Sequence, residues 1–128
     1  MRRLMMSCGM IVALAGSAVW TQGVDEFDAW MRTIDEKNQS VQQNIARQDA
    51  NAATADAQVL QDTFERVEEF WIRRGDARDA VDLAREARAR AADVLSAVAA
   101  KDFAAASSQS IKVAETCTTC HRLYRPLP

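Results

Sequence analysis

Close to its C-terminal end the chain reads Cys117-Thr118-Thr119-Cys120-His121, and His121 is its single histidine. Two thiols three residues apart with an imidazole directly after the second can do four kinds of chemistry. A structural zinc needs four ligands, and downstream of residue 23 the chain offers two cysteines and one histidine. A reactive dithiol wants its Cys-x-x-Cys at a helix N-terminus, where the dipole lowers the thiol pKa, and here the pair falls near the end of a helical pattern. A disulfide between adjacent turns of one helix is badly shaped. The fourth chemistry is covalent haem attachment, for which Cys-x-x-Cys-His is the recognised pattern: each thiol adds to one haem vinyl group, and the following histidine presents a ring nitrogen to the iron. On a helix, Cys117, Cys120 and His121 share one face, as this chemistry requires. The expected cofactor is one covalent haem c.

Those three side chains need a scaffold, and the spacing of apolar residues supplies its plan. Downstream of residue 23 the chain has no alternating strand pattern but four stripes with steps of three and four. The first is Phe27, Met31, Ile34, Asn38, Val41, Ile45. The second is Ala57, Leu60, Phe64, Val67, Trp71. The third is Ala80, Ala84, Ala87, Ala91, Val94, Val98. The fourth is Phe103, Ser107, Ser110, Ala114, Cys117, His121, Tyr124. Asp49, Gly75-Asp76 and Lys101-Asp102 have the chemistry of helix ends. The spacing predicts helices near 25–48, 53–74, 77–100 and 103–124. Short connections make neighbours antiparallel, so the expected fold is all-α, an up-down-up-down four-helix bundle. The alanine-rich third stripe suits either close helix approach or a bulky guest; the Cys-x-x-Cys-His motif favours the guest. In such a bundle the start of the first helix and the end of the fourth share one end. Met31 then faces His121 at matching depth, with Phe27 and Ile34 beside it and Trp71 closing the second helix.

The first 23 residues differ in kind. Arg2-Arg3 precedes an apolar run from Leu4 to Trp20, followed by small residues, which is the pattern of a secretory signal peptide with cleavage expected between 15 and 23. Residues 24–128 would then form the single domain, with Cys8 discarded, and the expected location is the periplasm. Membrane attachment would follow only if this segment stayed uncleaved, its apolar run being at the lower limit for a span. Without Arg2 and Arg3 the domain has 14 basic against 18 acidic residues, near −4. That balance argues against a nucleic-acid binder, which needs a basic face.

An exported bundle with Cys117, Cys120 and His121 in its last helix, followed by Tyr124 and Arg125, resembles the class II c-type cytochromes, the cytochrome c′ family. The resemblance implies a haem in the bundle core with His121 as proximal ligand and Arg125 as the family's basic residue near it. It also implies two sub-types. One leaves the iron five-coordinate and binds NO or CO. The other supplies a methionine from the first helix and carries electrons. Met31 stands at the corresponding place, so the expectation is the second: a six-coordinate carrier of single electrons, not an enzyme. It would bind haem through Cys117, Cys120, His121, Met31, Phe27, Trp71 and Arg125, with His121 and Met31 on the metal. The expected partners are unidentified redox proteins, and some family members form homodimers. A purely structural bundle, the remaining class, would carry no haem.

Overall fold

The computed structural model describes residues 18–125, with side chains from Gly23 onward. Four helices follow one another: α1 (Ala18–Ala46), α2 (Ala50–Arg74), α3 (Arg78–Ala99) and α4 (Phe103–Tyr124). No strand occurs among the described residues. The proposed leader lies mostly outside them, as does Cys8. None of the described helices is long and apolar enough to cross a membrane.

The helix ends follow local chemistry. Asp49 caps α2, its carboxylate accepting from the Ala52 N–H at 3.0 Å, so that helix starts three residues ahead of the expected position. Asp102 caps α4 in the same way through Ala105 at 2.9 Å. Gly75 ends α2 with φ 77°, a left-handed conformation that glycine adopts without a Cβ clash. The expected Asp76 cap of α3 does not form. Ala77 occupies the N-cap without a side-chain bond, because the Asp76 carboxylate turns back to Arg74 at 3.0 Å.

Aromatic contacts fix the direction of the helices. The ring of Phe27 near the start of α1 lies 4.5 Å from Phe70 and 5.8 Å from Trp71 at the end of α2. Trp71 in turn lies 4.9 Å from Tyr124 at the end of α4. The Tyr124 hydroxyl donates to Asp79 in the first turn of α3. Consecutive helices are therefore antiparallel and form a bundle, and the seam between α1 and α4 is its sparsest.

The first three stripes pack as their spacing requires. Phe27, Ile34, Val41 and Ile45 are buried on α1, all five residues of the second stripe on α2, and all six of the third on α3. The fourth stripe needs correction. Ala106, Ser110, Val113 and Thr116 are the buried residues of α4, while Ser107 and His121 are exposed. Ser110 and Thr116 can face the core because each hydroxyl donates to its own helix, to the carbonyls of Ser107 and Lys112 at 2.9 Å.

Two polar ties join helices outside the apolar stripes. Glu68 on α2 is held by Arg85 at 3.0 Å and Arg88 at 3.2 Å on α3. Asp56, buried on α2, accepts from Ser40 at 2.6 Å and Asn44 at 2.8 Å on α1, with the Lys37 ammonium at 3.5 Å. Removing the Asp56 carboxylate strands two part-buried donors. Asp56→Ala is expected to cost about 1–3 kcal/mol, read as a lower urea midpoint with an unchanged slope.

Candidate functional site

At the end of the bundle where Phe27, Trp71 and Tyr124 meet, all four helices contribute to one cleft. Its cavity volume is ≈ 90 Å³, and the empty space rises to ≈ 700 Å³ only when open solvent at its mouth is included. From α4 come Cys117, Cys120 and His121, and from α1 Phe27, Met31 and Ile34. Phe64, Val67 and Trp71 of α2 and Leu83, Ala84 and Ala87 of α3 complete the apolar wall. The alanines leave room there that larger side chains would occupy.

Six of the seven expected site residues thus line one space. Trp71 is 1% exposed and Phe27 6%, while Met31, Cys117 and Cys120 are half-buried and His121 stands exposed at the mouth. Depth follows from the rings. Phe27 is four residues outward of Met31, Tyr124 three outward of His121, and both touch Trp71. Met31 and His121 therefore occupy the next layer inward on their respective helices. The seventh residue, Arg125, lies outside the cleft wall. It is exposed, it ends α4, and its backbone N–H donates to the His121 carbonyl at 3.1 Å. Trp30 sits at the edge, its ring 6.2 Å from Phe27.

Asp35, Asn38 and Thr116 also reach the cleft. Asn38 had a signal in the sequence, as the polar residue in an apolar stripe. Asp35 and Thr116 had none, since each sits one residue off the stripe of its helix.

The electrostatics bear on the chemistries open to the thiols. Burial pushes the Cys117 thiol up to about 11, with the neighbouring Cys120 adding to it. Burial raises Cys120 as well, helped by Asp79. Both are neutral thiols at pH 7, the reverse of the activated thiolate that a redox dithiol needs. The cysteines are not joined to each other. Burial, then the Arg125 charge, lowers the His121 pKa, against a smaller opposing effect of Asp35. Its imidazole is therefore neutral at pH 7, with a lone pair available to a metal. Among the described residues no three His, Cys, Asp or Glu side chains converge on a point where an ion could bind directly.

A haem meets the chemistry of this donor set. Neutral thiols at i and i+3 and a neutral imidazole at i+4 stand on one wall, a thioether on the opposite helix, and apolar side chains between. Two residues of the cleft wall, Trp71 and Asn38, each have a buried side-chain atom, Nε1 and Oδ1, without a hydrogen-bond partner in the protein. Unpaired buried polar atoms are uncommon in folded proteins.

Comparisons of the chain with protein-family models, with curated proteins and with solved structures found no match.

Proposed function

We propose that this protein is an exported c-type cytochrome that carries single electrons, and that it works in the periplasm. The observation that supports this reading is the shared cleft, in which the Cys117, Cys120 and His121 side chains face the Met31 side of the bundle across an apolar interior. Cys117 and Cys120 would hold the haem covalently, each thiol adding its sulfur and hydrogen across one vinyl group with no change of redox state. His121 of α4 and Met31 of α1 would hold the iron. The bound haem supplies the Fe(III)/Fe(II) couple. Phe27, Trp71, Phe64 and Val67 exclude water, which favours the ferrous state. A soft thioether on a packed helix stays bound in both oxidation states, so little reorganises on transfer. Arg125 keeps positive charge close to His121, which disfavours its protonation and keeps the nitrogen available to the iron.

Expression in a host that matures c-type cytochromes tests this reading. Coloured protein is expected, with one haem per chain that survives acid–acetone extraction. The ferric form is expected to be low-spin, and the ferrous form to resist CO. Colourless protein of full fold would refute haem attachment. A high-spin ferric spectrum with rapid CO binding on reduction would reassign the site to the gas-binding sub-type.

A further inference from the structure

Asp35 is the one carboxylate among the described residues that line the cleft. It stands on α1 one turn inward of Met31, about 6 Å along the helix, and its Oδ2 accepts from Gln39 of the same helix at 3.4 Å. The carboxylates of α2 that reach a neighbouring helix are neutralised there: Asp56 faces Lys37, and Glu68 faces Arg85 and Arg88. Asp35 forms no ion pair among the described residues. An uncompensated carboxylate thus shares the cleft with Cys117 and His121 of α4, against walls that are mostly apolar.

Its charge reaches α4. Burial is the largest influence on the Cys117 thiol and on His121, but Asp35 acts on both from the facing helix, raising the first and, against Arg125, the second. To favour imidazolium over imidazole is to favour positive charge at that ring. An iron bound to the ring gains one positive charge on oxidation, so the same carboxylate favours Fe(III) over Fe(II). Carboxylates near metal-binding histidines act with this sign, raising the basicity of the ligand. Because Asp35 is exposed, water and salt screen it on its outer side, so its effect is modest and falls with ionic strength.

We infer that the Asp35 carboxylate acts across the α1–α4 seam on an iron held by His121 and lowers its reduction potential. The inference rests on the proposed haem site, and its test keeps the two apart.

Four holoproteins are compared by spectroelectrochemical titration at pH 7: wild type, Asp35→Asn, Asp35→Glu and Glu36→Gln. Glu36 is the next residue of α1, is exposed and stays outside the cleft wall, so Glu36→Gln makes the same change of net charge away from the site. Haem content by pyridine haemochrome is measured first, and wild-type protein without haem would overturn both the site and this inference. With haem present, Asp35→Asn is expected to move the reduction equilibrium severalfold toward the ferrous form at low ionic strength, with a smaller shift in high salt and an unchanged visible spectrum. Asp35→Glu, which keeps the charge, is expected to stay close to wild type, and Glu36→Gln to shift far less than Asp35→Asn. A potential that Asp35→Asn leaves in place, or moves no more than Glu36→Gln does, would overturn the inference and leave the haem site standing. A changed spin state in Asp35→Asn would also overturn it, since Asp35 would then hold the ligand set together rather than act through its charge. Should Asp35→Asn fail to accumulate, Asp35→Ser removes the same charge and is read in the same way.

Discussion

Replacing both Cys117 and Cys120 by Ser is expected to abolish acid-stable haem and to lower the yield of folded protein severalfold. Single replacements leave one thioether and a haem that is still retained. The two effects have separate causes. Loss of covalent attachment follows from loss of the sulfur nucleophiles, because a serine hydroxyl does not add to a vinyl group under these conditions. Loss of stability follows from the shape of the bundle. Ala84 and Ala87 leave the α3 wall thin where Phe27, Phe64, Val67 and Trp71 surround the cleft. At about 24 cal/mol per Å³, leaving the ≈ 90 Å³ of the cleft unfilled costs roughly 2 kcal/mol. Most domains have only about 5–15 kcal/mol in hand. A double variant that accumulated without haem at unchanged urea midpoint would show that the helices close the space by themselves.

Much of this arrangement was legible in the sequence because amphipathic periodicity is a strong signal. The steps of three and four in α1, α2 and α3 named most of their buried faces, missing Ala53, Asp56, Thr63 and Glu68 of α2 and including the half-buried Met31 and Asn38 of α1, and the antiparallel connections brought Met31, Trp71 and His121 to one end. The signal weakened in α4. Its core face is built from Ser110 and Thr116, whose hydroxyls are satisfied within the helix, so polarity gives no guide to burial there. Val113, fully buried, fell beside the assumed stripe for the same reason. The helix cap at Asp76 failed because a neighbouring arginine offered its carboxylate a better partner than the backbone. The polar ties at Asp56 and Glu68 depend on which residues of two helices come side by side, and a one-dimensional pattern does not specify that. Asp35 was hidden in the same way. It reads as one more solvated charge until α4 brings His121 near enough to feel it.

Met31→Leu is expected to change the spectrum and hardly the fold. Leucine fills nearly the same volume on α1, so the packing cost should stay under about 1.5 kcal/mol. The thioether, however, is lost. On the proposed function the ferric protein then passes from low-spin to high-spin, its weak far-red charge-transfer band disappears, and the ferrous form binds CO rapidly. The potential falls by on the order of 100 mV, a fraction of the ~0.8 V that axial ligation spans, because thioether sulfur favours the ferrous state. Met31→Ala should show the same spectral change with an added stability loss of about 2–5 kcal/mol, since it also opens space beside Phe27 and Ile34. The pair of variants separates ligand from filler. A methionine that serves only as wall would give the opposite ranking: Leu spectroscopically silent, Ala destabilising, and CO binding already rapid in the unmodified protein. That outcome would be compatible with the observed half-buried position of Met31, because methionine is also a common gap-filler in apolar interiors. What favours ligation is its layer. It lies one turn inward of Phe27 as His121 lies one turn inward of Tyr124, with Trp71 touching both outer rings, so an iron held by His121 would have the Met31 sulfur as the nearest soft donor on the facing helix.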